Sequence, residues 1–169
     1  MVSTARNQIS EMPIMERVLV IDDDDSIRTF LVEVLDRLGF ESETAENGKK
    51  GLEKFHSGGF TLIITDMRMP VMDGLTMLKQ IRAEGSKIPI IVITAFPTVS
   101  SAVESLVHGA DQYLVKPINL DDLKAKIGKA IEKRRMHKRL ASTKIANIVM
   151  AGLIPVWIIL GWILARLLQ

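Results

Sequence analysis

The chain predicts an α/β fold, a doubly wound five-stranded parallel sheet. Three observations carry this reading. Five strand candidates, four of them short apolar runs stopped by a polar residue, recur in about 120 residues. Segments with apolar residues at helical spacing separate them, and glycine closes most of those segments. The alternation is strict, which demands parallel strands, right-handed crossovers and helices on both faces.

Taken in order, Arg17-Val18-Leu19-Val20-Ile21 is a strand of the kind buried on both faces, ending in Asp22-Asp23-Asp24-Asp25. Ile27, Phe30, Leu31, Val34, Leu35 and Leu38 mark the first helix, stopped by Gly39. Glu41 to Ala45 is a weak second strand. Asn47 opens a helix carrying Leu52 and Phe55 and closed by Gly58-Gly59. Thr61 to Thr65 is the third strand, and a helix from Gly74 with Leu75, Leu78 and Ile81 ends at Gly85. Pro89 to Ile93 is the fourth strand. The fourth helix follows Pro97-Thr98, with Val99, Val103 and Leu106 expected to face inward, and Gly109 ends it. Gln112 to Val115 is the fifth strand, and a fifth helix starts after Asn119, a good cap, and runs past Ile131.

In an open parallel sheet all strands end on one edge, where ligands bind. Asp22, Asp23, Asp66, Thr94 and Lys116 each stand at such an end. One aspartate after one strand is as readily the start of a loop. Five chemistry-bearing residues from four strands are harder to explain that way. Asp66, at the head of Thr65-Asp66-Met67-Arg68-Met69-Pro70-Val71-Met72-Asp73-Gly74, can be a nucleophile or a metal ligand. Helix capping accounts for Asp24 and Asp25, whereas Asp22 and Asp23 begin inside the strand end. Converging carboxylates repel one another by about 1 kcal/mol per pair at 4 Å in water and about 4 kcal/mol at a protein surface. A hard divalent cation relieves that, and Mg2+ suits a few carboxylates while keeping sites for phosphate oxygens. Mg2+, an exposed carboxylate, a hydroxyl and a lysine make a phosphoryl-transfer site that works by positioning and charge. No Gly-Lys-Ser/Thr phosphate loop occurs, so a nucleoside triphosphate is not the evident donor.

Composition limits the classes. The chain has no cysteine, which excludes disulfides and thiolate metal or redox sites. Its net charge of +2 hides a segregation: residues 1–127 hold 14 Lys/Arg against 19 Asp/Glu, and residues 128–169 hold 8 against Glu132 alone. An acidic body and a basic segment imply separate partners.

Four stretches together resemble the receiver domain of two-component response regulators: Val-Leu-Val-Ile-Asp-Asp-Asp at 18–24, Asp-Met-Arg-Met-Pro-Val-Met-Asp-Gly at 66–74, Ile-Val-Ile-Thr-Ala at 91–95 and Tyr-Leu-Val-Lys-Pro at 113–117. The resemblance implies a flavodoxin-like sheet in the order 2-1-3-4-5. It makes Asp66 the phosphoacceptor, charged from a phosphohistidine on a histidine kinase or histidine phosphotransfer protein. It places Mg2+ on Asp22, Asp23, Asp66 and the backbone carbonyl of Arg68. Lys116 becomes the phosphate-binding lysine, before a cis bond to Pro117, and Thr94 with Tyr113 the switch pair. Phosphorylation would then bias a face built from the fourth helix, fifth strand and fifth helix. No separate organic cofactor is implied. The chain is then not an enzyme in its own right: it catalyses its own phosphorylation and a slow autodephosphorylation. Arg68 and Phe96 flank the path of attacking water, so the bulky Phe96 is expected to lengthen the life of the acyl phosphate.

The remaining parts read as a flexible tail over 1–15, a receiver over 16–128, a basic juxtamembrane segment over 129–144 and a transmembrane helix over 145–168. Ile145 to Ala165 is 21 residues without a formal charge. As a helix at about 1.5 Å per residue it matches a hydrocarbon core of about 30 Å. The preceding Lys129, Lys133, Arg134, Arg135, Lys138, Arg139 and Lys144 favour the cytoplasmic side. The expectation is a single-pass anchor holding the receiver at the cytoplasmic face of the cell (inner) membrane. No secretory leader and no DNA-binding output domain are read, and nucleic acid is not an expected partner. Signalling would go by protein contact or phosphorelay to a downstream protein the sequence does not name, and a homodimer is compatible. Two other classes are weaker. A non-phosphorylated interaction module would not need all of Asp22, Asp23, Asp66, Thr94 and Lys116. An aspartyl-phosphate phosphatase resembling the haloacid dehalogenases would carry a second Asp where Arg68 stands.

Overall fold

A computed structural model describes residues 16–136 of the 169. The chain divides into two compact units, Met1–Ile131 and Glu132–Gln169. The expectations for the tail 1–15, the basic segment beyond 136 and the membrane helix 145–168 fall outside the described residues. Among the described residues no helix is long and apolar enough to cross a membrane.

Five strands, β1 (Arg17–Ile21), β2 (Glu41–Ala45), β3 (Phe60–Asp66), β4 (Ile90–Thr94) and β5 (Gln112–Val115), form one parallel sheet in the order β2-β1-β3-β4-β5. The helices are α1 (Asp25–Arg37), α2 (Gly48–Ser57), α3 (Gly74–Ala83), α4 (Val99–Val107) and α5 over residues 120–136. Alternate residues of each strand face opposite ways. Val18, Val20, Leu62, Ile64, Ile91, Ile93 and Leu114 therefore pack on one face with Leu31 and Leu35 of α1 and with Leu123 and Ile127 of α5. Leu19, Ile21, Ile63, Ile90 and Val92 pack on the other face with Met77, Leu78 and Ile81 of α3, and with Leu52 and Phe55 of α2.

The caps follow the sequence. Asp24, Asn47, Asp73 and Thr98 accept from first-turn amides of α1 to α4, and Asn119 accepts from Asp121 N and Asp122 N at the head of α5. Gly39 follows α1 at a φ of 81°, a conformation that favours glycine.

The inward face expected for α4 is corrected. Val99, Val103 and Leu106 are 84 %, 53 % and 51 % exposed, and Ser105 is the buried residue of this helix. Its hydroxyl donates to Ser101 O at 2.8 Å. A serine satisfied by its own helix can face the sheet at little cost, and the valine–leucine stripe is left to solvent. Apolar spacing alone did not say which stripe the sheet would take.

At the opposite end of the sheet from the site, Arg82 of α3 ties three segments together. It donates to Gly109 O at 2.9 Å, Ser86 O at 3.1 Å and Ile88 O at 2.8 Å, and it pairs with Asp111 Oδ2 at 3.3 Å. Arg82→Met keeps the stem and removes the donors. It is expected to destabilise by about 1–3 kcal/mol, read as a lower urea midpoint at unchanged slope.

Candidate functional site

The site is assembled by strand register. Ile21 pairs with Thr65, Asp66 with Ile93 and Thr94 with Val115. The residue after β1, the last residues of β3 and β4 and the residue after β5 consequently lie side by side at the carboxyl edge. They are Asp22, Asp66, Thr94 and Lys116.

Lys116 joins two of them. Its Nζ lies 2.7 Å from Asp22 Oδ2 and 2.8 Å from Asp66 Oδ1. Asp22 is 1 % exposed and Asp66 6 %. Burial pushes the Asp22 carboxyl above the usual carboxylate range, against the lowering effect of Lys116 and of the Asp24 N–H. Burial also works against the Lys116 ammonium, but its bonds to Asp22 and Asp66 and their charges outweigh burial and hold it above the usual lysine range. Lys116 N donates to Thr94 O at 2.8 Å, which seats the lysine against β4. The Lys116–Pro117 bond is cis, as the resemblance implied.

Asp23 behaves differently from its neighbour. It is exposed while Asp22 is buried, because successive residues of an extended chain point to opposite sides. Asp22 and Asp66 come together through Lys116 instead of through a third carboxylate, and among the described residues no three His, Cys, Asp or Glu side chains form a ready metal cluster. The donors still fit Mg2+: all are oxygens, and Mg2+ takes one or two carboxylates and fills its other positions with water and phosphate. A buried carboxylate raised by desolvation is also one that a nearby cation would stabilise in its charged form.

The loop after Asp66 is fixed at several points. Arg68 N donates to Asp66 Oδ2 at 2.7 Å. Met72 N donates to Pro70 O at 2.8 Å, Gly48 N of α2 to Met72 O at 2.9 Å, and Gly74 N to Met67 O at 3.1 Å. Val71 adopts a φ of 69°, unusual for a β-branched residue, at the tip of this turn. Gly74 is required by close approach: a Cβ there would stand 2.0 Å from Asp66 O. Gly74→Ala is expected to shift the backbone beneath Asp66 and to destabilise by about 1–3 kcal/mol. A lower thermal midpoint together with displaced amide resonances for Asp66 to Arg68 would check it.

Thr94 is 1 % exposed, and its Oγ1 accepts from Phe96 N at 3.2 Å. Tyr113 packs at the edge of the core, its hydroxyl 3.1 Å from Ser101 Oγ on α4. Two participants, Arg28 and Ser101, were not expected from the sequence, and Arg68 and Phe96 were expected to flank the site without being expected to touch. Arg28 donates to Asp22 O at 2.6 Å and to Asp25 Oδ1 at 2.7 Å, bracing the acidic loop, and its spacing of three from Asp25 on a helix was the available signal. Ser101 meets Tyr113 across elements, and the Arg68 side chain lies over the Phe96 ring. Neither contact has a local sequence signature.

A doubly wound parallel sheet with a buried aspartate held by a lysine at its carboxyl edge defines the flavodoxin-like class of α/β domains with an acidic site. Within that class the chain belongs to the response regulator receiver domain family, whose match covers residues 18–128. Among curated relatives, the regulatory protein AtoC of Escherichia coli K12 is 36 % identical over 129 residues, 76 % of this chain and 28 % of AtoC. The transcriptional regulatory protein ZraR of the same strain is 40 % identical over 114 residues, 68 % of this chain and 26 % of ZraR. The chain thus spans about a quarter of the length of these two relatives. A receiver domain crystal structure from Clostridium thermocellum superposes with a TM-score of 0.68 at 30 % identity, covering 72 % of this chain and 98 % of that one. Receiver domains use Mg2+ for phosphorylation and interact with histidine kinases or phosphotransfer proteins.

Proposed function

We propose that Asp66 is the phosphoacceptor of this receiver and takes its phosphoryl group from a phosphohistidine of a histidine kinase or phosphotransfer protein. The observation that carries this reading is the Lys116 ammonium between Asp22 and Asp66. It presents a cation beside a largely buried carboxylate, where phosphoryl oxygens would gather. An Asp66 carboxylate oxygen forms the bond to phosphorus, the bond from phosphorus to the histidine nitrogen breaks, and the histidine keeps the electron pair. Lys116 neutralises the charge on the transferring group, and the Thr94 hydroxyl on the adjacent strand has its proton to donate to a phosphoryl oxygen. Asp22, Asp23, Asp66 and the Arg68 carbonyl would hold Mg2+, which when bound would offset the phosphate charge. Arg68 and Phe96 stand at the rim that water must cross, so autodephosphorylation is slow.

Output follows from the same geometry. Movement of Thr94 toward the phosphoryl group would loosen the Phe96 amide, and Tyr113 is joined through Ser101 to the first turn of α4. The switch face then acts by contact with a downstream protein. The charge-free run from Ile145 to Ala165 after a basic stretch supports a tether at the cytoplasmic face of the membrane. Incubating the full chain with a phosphorylated histidine donor and Mg2+ tests the chemistry. The expected product carries one phosphoryl group, labile to hydroxylamine and mapping to the peptide that contains Asp66. Label on a serine or threonine, or none, would refute it.

A further inference from the structure

Phe96 is a large ring left 64 % exposed beside the site. The Arg68 guanidinium lies 5.6 Å from its centroid. These two residues follow neighbouring strands, and each backbone is tied to the chemistry. Arg68 N donates to Asp66 Oδ2, and Phe96 N donates to Thr94 Oγ1. Their side chains therefore bridge the loops after β3 and β4 at the rim. A cation over an exposed ring is held weakly. A phosphoryl group on Asp66 would offer the same guanidinium anionic oxygens in charge-assisted, bidentate geometry, a stronger partner than the ring. The two partners compete for one cation. Phe96 leads through Pro97 to Thr98, the cap of α4, so loss of the guanidinium alters the surface where that helix begins.

We propose that Arg68 and Phe96 form a phosphate-operated latch. The guanidinium rests on the ring while Asp66 is bare and transfers to the phosphoryl oxygens once Asp66 carries them, freeing the Phe96 ring at the head of α4. This rests on phosphorylation of Asp66 as proposed above. The latch also predicts the kinetics of loading. Freeing Arg68 in advance, by Phe96→Leu, leaves it ready for the incoming anion and speeds phosphorylation about two- to fivefold, the rate equivalent of an exposed cation–π contact.

The test uses the full chain, Mg2+ and acetyl phosphate as donor, with arginine side-chain NMR and intact mass read together. In the bare protein the Arg68 side-chain resonance is expected upfield from the ring current, and Phe96→Leu removes that displacement. When the mass gains one phosphoryl group, the displacement is lost in wild type. Phe96→Leu loads faster than wild type, and Arg68→Gln/Phe96→Leu loads no faster than Arg68→Gln. No displacement in the bare protein, a displacement that survives the mass gain, or an equal acceleration in the Arg68→Gln background overturns the latch alone. No mass gain on Asp66 from acetyl phosphate or from a phosphorylated histidine donor overturns the phosphorylation reading and the latch with it.

Discussion

Replacing Asp66 by asparagine is expected to abolish phosphorylation of the chain while leaving its fold in place. The side chains are nearly isosteric, and the substituted amide oxygen can still accept from Arg68 N, the contact that shapes the loop at 2.7 Å in the native chain. What is lost is the nucleophile: a neutral amide oxygen does not form a stable bond to phosphorus under conditions in which a carboxylate does. Asp22 is the more enclosed of the two carboxylates and is not expected to take over. It is 1 % exposed, against 6 % for Asp66, and its two oxygens are engaged by Asp24 N and Lys116. Labelling from a phosphohistidine donor should therefore fall to background in Asp66→Asn. Circular dichroism and the thermal midpoint should stay close to wild type. Residual label at wild-type level would move the acceptor elsewhere.

Much of this arrangement was legible because it depends on periodicity and on strand ends. Four apolar runs and a weaker polar strand, alternating with helical segments, leave little freedom in topology, and the strand order is the one the resemblance implied. Asp22, Asp66, Thr94 and Lys116 were placed by one argument, that parallel strands end on one edge. The rest depended on side-chain direction and cross-element contact. Asp23 lies beside Asp22 in sequence yet points to solvent. The apolar stripe of α4 proved to be its outer face, since Ser105 satisfies its own hydroxyl and takes the inner position. The Arg68–Phe96 and Ser101–Tyr113 contacts join residues 28 and 12 positions apart. They exist because neighbouring strands bring separate loops together, which no local pattern encodes.

Lys116→Met is expected to cost both stability and loading, and Asp22→Asn to return part of the stability only. Methionine keeps most of the lysine stem and removes the ammonium that lies 2.7 Å from Asp22 and 2.8 Å from Asp66. Two nearly buried carboxylates are then left facing each other. Breaking a fully buried pair costs about 3–5 kcal/mol, and because Lys116 keeps some solvent access the loss here should be nearer about 2 kcal/mol. Loss of the cation at the transferring phosphoryl should slow loading by roughly 10²–10³-fold, as for removal of one electrostatic donor from a transition state. The pKa directions give the signs. Lys116 is raised in the folded chain, so its stabilisation is complete below its ordinary value of 10.5 and fades as pH rises through the folded value above it. Asp22 is also raised. Between 3.8 and its higher folded value the native state binds more protons than the unfolded one, so this group makes stability fall as pH rises through that window. Burial disfavours its charged form, a burden that asparagine does not carry. Asp22→Asn alone should hence melt at or above wild type, and Asp22→Asn/Lys116→Met should lose less stability than Lys116→Met by itself. Loading would not recover, because neither the cation nor the Asp22 oxygen proposed for Mg2+ is restored. Urea midpoints of the four chains at pH 7, with initial rates from acetyl phosphate, read both halves. Strict additivity of the stability changes would mean that Lys116 does not act through Asp22, and a wild-type loading rate in Lys116→Met would remove it from the chemistry.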